Sequence, residues 1–133
     1  MRAGIATNGN IQLAFESLGD PSDETIIFIS GLGSQLVYWT DELCQPFLER
    51  DFHIVRFDNR DAGLSSKTSQ SRAVSEPNSN VAADVPYTLS DMATDTVSVL
   101  DALEIESAHV VGASLGGMIA QTVAIDPVSY THL

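Results

Sequence analysis

The N-terminal part of the chain alternates between short apolar runs and polar turns, a pattern that predicts strands. Residues 4–7 and 11–17 are expected to form a hairpin around Asn8-Gly9, a dipeptide that accepts positive φ at both turn positions. Residues 25–29 are apolar and β-branched without alternation, which is typical of a strand buried on both faces of a parallel sheet. Residues 53–57 predict another short strand.

Two stretches show the three- and four-residue spacing of amphipathic helices. Residues 41–50 have this spacing, although Pro46 weakens the prediction because proline kinks a helix or delays its start. Residues 89–103 repeat apolar positions more regularly, and Thr88 with Asp91 resembles a capping box at their start. The second of these stretches is the stronger helix prediction.

A glycine-rich turn joins the last predicted strand, residues 109–111, to a buried helix at residues 118–125. Between the earlier elements, residues 65–86 are rich in serine, asparagine, threonine and alanine, and they predict a long mobile surface loop. Strands that alternate with helices predict an α/β architecture on a mostly parallel sheet.

Composition and charge narrow the classes of function. The 133 residues include 18 acids and 6 bases, a net charge of -12, which disfavours binding to nucleic acid or to anionic membranes. Cys44 is the single cysteine, so no internal disulfide and no cysteine-rich zinc site can form. Residues 1–12 lack the apolar run of a signal peptide, and no run of about eighteen apolar residues occurs. We therefore expect a soluble, cytoplasmic protein.

Chemistry is indicated by Gly112-Ala113-Ser114-Leu115-Gly116, which matches G-x-S-x-G with a predicted strand before it and a helix after it. An abrupt strand-to-helix turn strains its central residue and needs glycine two positions away on each side. Ser114 is the predicted nucleophile, and the N–H of Leu115 is predicted to stabilise an oxyanion. The alternative is a structural turn that cradles a phosphate, but it lacks the lysine of a P-loop.

These features resemble the α/β-hydrolase superfamily. Ser30-Gly31-Leu32-Gly33 follows a buried strand and resembles the family's oxyanion loop, with serine where histidine is usual. The resemblance implies that the N–H of Leu32 is the second oxyanion donor and that Gly31 contacts the substrate. It also implies that Trp39 either lines the acyl or alcohol pocket or packs beneath the loop.

Residues 58–65 resemble the family's D-x-R-G-x-G-x-S turn, with Asp61 in place of the usual glycine. The resemblance implies that Asp58 and Arg60 are a buried ion pair or a loop brace and not catalysts. Together these stretches look most like bacterial carboxylesterases of the aclacinomycin methylesterase type. The implied substrate is a small-molecule ester, with no cofactor or metal. A cofactor-free haloperoxidase or perhydrolase and a non-catalytic binding module of the same fold are the alternatives.

In this family the acid and the histidine of the triad follow the serine. Downstream of Ser114 the candidates are Asp126, roughly 18 Å away along a helix, and His132, which no turn chemistry returns to the serine. We therefore expect residues 1–127 to be a partial domain, inactive alone. Residues 128–133 can be encoded by a transposase mosaic end used in sequencing libraries, so we expect a non-native tail.

Two further predictions concern the positions of the other histidines and the edge of the last strand. His53 and His109 open their strands, so both are expected at the end of the sheet opposite to Ser114, as packing or solvent-facing residues. The strand that contains Val110 and Val111 is expected to expose an unpaired apolar edge, since further strands would follow it in the family.

Overall fold

The computed structural model describes residues 1–68 and 87–125. The strands of these residues are β1 (Arg2–Asn8), β2 (Ile11–Leu18), β3 (Glu24–Ile29), β4 (Phe52–Phe57) and β5 (Ala108–Gly112). The α-helices are α1 (Asp41–Leu48), α2 (Leu89–Ala102) and α3 (Leu115–Ile125), and a short 3-10 turn covers Leu36–Tyr38.

The strands form one mixed sheet in the order β1-β2-β4-β3-β5. β1 is antiparallel to β2, and β2 is antiparallel to β4. β3 runs parallel to both β4 and β5, so the carboxyl ends of these three strands meet at one edge of the sheet. This arrangement confirms the predicted α/β architecture and corresponds to the N-terminal part of an open α/β fold. Ligands bind at the carboxyl edge in such sheets.

The core has a layer on each face of the sheet, which explains why β3 lacks polar alternation. The larger layer lies against α2 and α3 and contains Leu13, Phe15, Ile27, Ile29, Val55, Phe57, Val99, Leu100, Ile119 and Val123, among others. The smaller layer lies beneath α1 and contains Ile26, Phe28, Cys44 and Ile54. Both faces of β3 are therefore buried, as the unbroken apolar sequence of residues 25–29 predicts, and β4 beside it is buried as well.

The turn of the β1–β2 hairpin differs from the predicted one. Asn8 pairs with Ile11, so the connecting residues are Gly9 and Asn10. In this turn Gly9 has a φ of 60°, whereas Asn8 is not in the left-handed region. The prediction of positive φ at both Asn8 and Gly9 is wrong, because Asn8 stays in β1 and donates from Nδ2 to Asp95 Oδ1 at 2.8 Å.

Helix α1 begins where it is predicted to begin, despite its proline. Thr40 caps it, with Oγ1 accepting a hydrogen bond from the Leu43 N–H at 3.2 Å. Pro46 lies inside the helix and does not delay its start, although the helix ends at Leu48 and not at residue 50.

The starts of α2 and α3 are fixed by local hydrogen bonds. The capping box at α2 is confirmed: the Thr88 N–H donates to Asp91 Oδ2 at 2.8 Å, and the Asp91 N–H donates to Thr88 Oγ1 at 3.2 Å. Helix α3 begins at Leu115, earlier than the predicted residue 118, because the N–H groups of Gly116 and Gly117 already make turn hydrogen bonds.

The first residues of the predicted surface loop are attached to β2. Ser65 is buried, and its Oγ accepts from the Ala14 N–H at 2.9 Å. The Ser66 N–H donates to the Gln12 carbonyl at 2.8 Å. Other predictions concern residues outside the described ones: loop residues 69–86, the tail 128–133, Asp126 and His132.

Strand β5 forms an edge of the described sheet. It pairs with β3 on one side, and no second neighbour lies among residues 1–68 and 87–125. Val111 is 41% exposed, so the predicted apolar edge is present in this part of the chain. None of the helices in the described ranges is long and apolar enough to cross a membrane.

Candidate active site

Ser114 occupies a sharp turn between β5 and α3. Its φ is 56°, in a left-handed region that residues other than glycine rarely adopt, and its side chain is exposed. A Cβ on Gly112 would lie 2.0 Å from the Gly116 carbonyl oxygen, and a Cβ on Gly116 would lie 2.0 Å from the Ile29 carbonyl oxygen. Both glycines are therefore required for α3 to approach the sheet. A strained backbone with an exposed serine is the geometry of a nucleophile elbow.

Of the first three backbone N–H groups of α3, next to Ser114, two are hydrogen-bonded within the turn and one is not. The Gly116 N–H donates to the Ala113 carbonyl at 2.9 Å, and the Gly117 N–H donates to the Ser114 carbonyl at 2.9 Å. Leu115 is the first residue of the helix, so its N–H has no intrahelical acceptor. This N–H is available to a negatively charged oxygen.

The predicted oxyanion loop passes directly beside the elbow. A Cβ on Gly31 would lie 3.3 Å from Ser114 Cβ and 3.9 Å from Ser114 Oγ. Leu32 is 86% exposed, and within the described part of the chain its N–H has no hydrogen-bond acceptor. The fold therefore brings the pair Gly31 and Leu32 next to the pair Ser114 and Leu115, and the sequence places these two pairs far apart.

Trp39 packs beneath the loop and also lines a cavity, so its two predicted roles are compatible. Its ring stacks on Phe28 with 4.7 Å between centroids, and Nε1 donates to Ser30 Oγ at 2.9 Å. The cavity has a volume of about 230 Å³ and includes Gly31 and Tyr38 in its wall. The indole is anchored by the core on one side and borders open space on the other.

A second cavity, with a volume of about 280 Å³, also has Gly31 in its wall. Its apolar lining includes Leu32 and Leu115, the two residues whose N–H groups are the predicted oxyanion donors. Arg60 and Tyr87 supply part of its polar lining. Gly31 borders both cavities, and a Cβ on it would lie 3.9 Å from Ser114 Oγ.

Asp58 braces the turn after β4. It is buried, and its Oδ1 and Oδ2 accept from the N–H groups of Leu36 at 2.7 Å and Leu64 at 2.9 Å. A Cβ on Gly63 would lie 2.2 Å from Asp58 Oδ2, so the turn closes tightly around this carboxylate. Asp58 is therefore the loop brace that the resemblance implies.

Arg60 forms an ion pair, but its partner is Asp95 of α2. Nε lies 2.6 Å from Asp95 Oδ2 and Nη2 lies 2.8 Å from Asp95 Oδ1. An ion pair between Asp58 and Arg60 does not form, because backbone N–H groups already occupy the Asp58 carboxylate. Hydrogen bonding to Asp95 raises the pKa of the Arg60 guanidinium.

Asp61 occupies the position where glycine is usual, and it adopts a left-handed φ of 69°. Aspartate tolerates this conformation better than most residues do. Its Oδ1 accepts from the Thr68 N–H at 2.7 Å. Burial, and after it hydrogen bonding to the Asp61 carboxylate, raises the pKa of Tyr87 to about 12. The Arg60 guanidinium carbon lies 4.8 Å from the centre of the Tyr87 ring.

Both described histidines lie at the end of the sheet opposite to Ser114. His53 pairs in register with Thr25, whereas Gly112 pairs with Ile29. Thr25 and Ile29 are four residues apart along β3, which corresponds to about 13 Å at about 3.3 Å per residue. His53 is buried against Thr25, and burial lowers its pKa, while His109 is exposed at the start of β5. No triad is therefore assembled within residues 1–68 and 87–125.

Arg56 is a structural residue of this region that sequence reasoning missed. Its guanidinium is buried, with Nη2 2.7 Å from Glu16 Oε2 and 2.9 Å from Asp41 Oδ1. Nη1 donates to the Trp39 carbonyl oxygen. The signal was present as an arginine within an otherwise apolar strand, since a buried arginine requires partners. Arg56 thereby joins β4 to β2, to the start of α1 and to Trp39.

Comparisons with known proteins agree with this geometry. Rhodomycin D methylesterase DnrP of Streptomyces peucetius is 33% identical over 126 residues, which cover 95% of this chain and 38% of that protein. A solved structure of a hydrolase from Pseudomonas aeruginosa is 30% identical, with a TM-score of 0.75, and the match covers 96% of this chain and 42% of that one. Est816, described as an N-acyl homoserine lactone degrading enzyme, is 26% identical with a TM-score of 0.75 and the same coverage of 96% and 42%.

The chain therefore spans less than half the length of these relatives. The match to DnrP confirms the resemblance to bacterial methylesterases. Residues 24–130 match the family model described as alpha/beta hydrolase fold. The strand order, the elbow at Ser114 and this match lead to one conclusion: the chain belongs to the α/β-hydrolase family.

Proposed function

We propose that the chain is the N-terminal part of a serine hydrolase that cleaves carboxylic esters through an acyl-enzyme. The observation that carries this proposal is the strained, exposed Ser114 beside the oxyanion loop, with Gly31 in contact range of its side chain. The N–H groups of Leu115 and Leu32 are the proposed donors to the oxyanion. Donors that are already oriented stabilise the developing charge without reorganisation.

In the proposed reaction, Ser114 Oγ forms a bond to the ester carbonyl carbon as its proton passes to a histidine base. Collapse of the tetrahedral intermediate releases the alcohol, which takes that proton, and water then hydrolyses the acyl-enzyme. We propose that the histidine and its acid lie in sequence that follows this chain in its gene. Support comes from the match to 38% of DnrP and from the distance of His53 and His109 from the elbow.

This proposal predicts that residues 1–133 alone are inactive. Loss of the base from a serine hydrolase costs on the order of 10⁴- to 10⁶-fold in rate. The complete protein, meaning this chain with the downstream part of its gene product, is therefore required for activity.

The relatives and the cavities support a small ester as the substrate. DnrP is named a methylesterase, and Est816 is described as degrading a lactone, which is a cyclic ester. The cavities of about 230 and 280 Å³ share Gly31 as a lining residue, and each has room for a small group on one side of an ester carbonyl. Trp39 borders the first cavity, so we propose that it also contacts the substrate.

A labelling experiment on the complete protein tests the proposal. A fluorophosphonate probe is expected to label Ser114, and a short p-nitrophenyl ester is expected to be hydrolysed. Ser114→Ala should abolish both signals, whereas Ser90→Ala, at an exposed position in the first turn of α2, should change neither. An unlabelled, inactive complete protein would contradict the proposal and favour a binding module. Peroxide-dependent oxidation with little ester hydrolysis would favour the perhydrolase alternative.

A further inference from the structure

Ser30 joins β3 to the oxyanion loop and is almost completely buried, with 2% exposure. A buried hydroxyl needs a hydrogen-bond partner, and its partner here is the Trp39 indole, with 2.9 Å between Nε1 and Oγ. The Ser30 carbonyl is also occupied, because Asn59 Nδ2 donates to it at 2.9 Å. Asn59 is itself buried. The side chain and the backbone of Ser30 are therefore held from two different elements.

The Trp39 indole is firmly fixed and can hold Ser30 in place. Its ring stacks on Phe28 with an angle of 27° between the planes. Its carbonyl accepts a hydrogen bond from the buried Arg56 guanidinium, which is also paired with Glu16 and Asp41. Movement of the indole would disturb the core layer beneath α1, and movement of the Trp39 main chain would disturb this charged cluster.

The carbonyls of Ile29, Ser30 and Gly31 each accept a hydrogen bond, and each bond fixes the orientation of the peptide group that the carbonyl belongs to. The Ala113 N–H donates to the Ile29 carbonyl at 3.3 Å, and the Ser34 N–H donates to the Gly31 carbonyl at 3.2 Å. The described peptide bonds are trans, so the C=O of Gly31 and the N–H of Leu32 lie in one plane and point in opposite directions. A fixed Gly31 carbonyl therefore fixes the Leu32 N–H.

We propose that Trp39 and Asn59 are positioning residues for the oxyanion loop. The indole N–H holds the Ser30 side chain and the Asn59 amide holds the Ser30 carbonyl, so that the Leu32 N–H is oriented before substrate binds. This inference rests on the proposed function of Ser114. It deepens that function by assigning to Trp39 an effect on the chemical step, in addition to any contact with substrate.

The expected effect is on kcat. Loss of a single oxyanion donor costs about 10²- to 10³-fold, so partial misalignment of Leu32 is expected to cost about tenfold. Trp39→Phe removes the indole N–H but keeps an aromatic ring against Phe28, and Ser30→Ala removes the acceptor. Each variant should lower kcat about tenfold. Ser30→Ala, at a residue for which no substrate contact is proposed, should also leave KM within about twofold, because the ground state does not use the oxyanion donors fully.

The two substitutions should not be additive, since both break the same hydrogen bond. The double variant Ser30→Ala/Trp39→Phe should therefore have nearly the kcat of either single variant. Asn59→Ala, which acts through a different bond, should lower kcat further when combined with either. A matched control is Phe47→Leu, which disturbs the same aromatic cluster without touching the hydrogen bond and should lower Tm but leave kcat within twofold.

A spectroscopic measurement tests the hydrogen bond without relying on catalysis. In the complete protein labelled with ¹⁵N-tryptophan, the indole signal that disappears in Trp39→Phe belongs to Trp39. Hydrogen exchange at this signal should be slow in the wild type and at least tenfold faster in Ser30→Ala, since the indole loses its acceptor.

The outcomes separate the inference from the proposed function. An inactive, unlabelled wild type would overturn the function of Ser114, whatever the exchange data show. An active wild type with unchanged kcat in Ser30→Ala and Trp39→Phe would overturn the positioning role alone. A rise in KM for Trp39→Phe with unchanged kcat would also overturn it, because Trp39 would then act only through contact with the substrate.

Discussion

Arg60 and Asp95 form a two-point ion pair that joins the turn after β4 to the middle of α2, and Asp95 is only 1% exposed. The pair lies next to the cavity of about 280 Å³, where the Arg60 guanidinium also lies over the Tyr87 ring. Asn8 donates to the same carboxylate at 2.8 Å, so β1 is attached to the cluster as well. Three separate segments therefore depend on one buried carboxylate.

Asp95→Ala is expected to destabilise the complete protein by about 3–5 kcal/mol, because it leaves a buried guanidinium without its partner. The free energy of unfolding, from urea denaturation, provides the measurement. Asp101→Ala on the same helix is exposed and should change it by less than about 0.5 kcal/mol. Equal effects of the two substitutions would show that the ion pair is not important for stability.

Adjacent glycines at the start of α3 should respond in opposite ways to alanine. Gly116→Ala would place a Cβ 2.0 Å from the Ile29 carbonyl oxygen, so it should separate α3 from the sheet and cost more than about 3 kcal/mol. Gly117→Ala meets its nearest atom at 3.4 Å and should stabilise the helix by up to about 1 kcal/mol. Urea unfolding of both variants distinguishes this expectation from a general intolerance of alanine in the elbow.

Tyr87 should titrate well above an ordinary tyrosine. Its pKa of about 12 arises mainly from burial and then from its hydrogen bond to Asp61, both of which favour the neutral phenol. The folded state retains this proton when the unfolded state has lost it, so its contribution to stability is complete below pH about 10 and is lost as the pH rises towards about 12.

Absorbance of phenolate at alkaline pH measures this titration as the difference between wild type and Tyr87→Phe. Asp61→Asn should lower the pKa of Tyr87, because it replaces the carboxylate that accepts the phenol proton. An ordinary pKa of about 10 in the wild type would show that the phenol is not held by Asp61.

Residues 1–133 alone should self-associate through the open edge of β5. Val111→Lys places a charge on that edge and should reduce association, as lysine does on natural edge strands. Leu64→Lys, on an exposed loop position, is the matched control and should have little effect. Sedimentation velocity of the three proteins gives the result, and a monodisperse wild-type chain would contradict the prediction.

Local sequence signals predicted the elements whose geometry is determined locally. The G-x-S-x-G pattern predicted the elbow at Ser114, because only glycine fits the close approach on either side. The Thr88 and Asp91 spacing predicted the start of α2, because a capping box is formed by residues three apart. The unbroken apolar run at residues 25–29 predicted a buried central strand for the same reason, since its composition depends on its own burial.

Contacts between distant segments could not be predicted in this way. The Trp39 bond to Ser30 and the Arg56 pair with Glu16 depend on the order of strands in the sheet, which no local pattern specifies. The turn at Gly9 shows the same limit on a smaller scale. The pairing of Asn8 with Ile11 makes Gly9 and Asn10 the connecting residues. The preference of Asn8-Gly9 for positive φ does not determine the turn.

The edge position of β5 has a consequence for the turn at Ser114. The strand that leads into Ser114 has ladder hydrogen bonds on one side in the described sheet, while the serine that follows it holds a backbone conformation that costs free energy. Such a conformation persists only when the surrounding structure enforces it. A segment that pairs with the free side of β5 would therefore also stiffen the turn that holds Ser114, the proposed nucleophile, so sheet pairing and the geometry of this serine are linked.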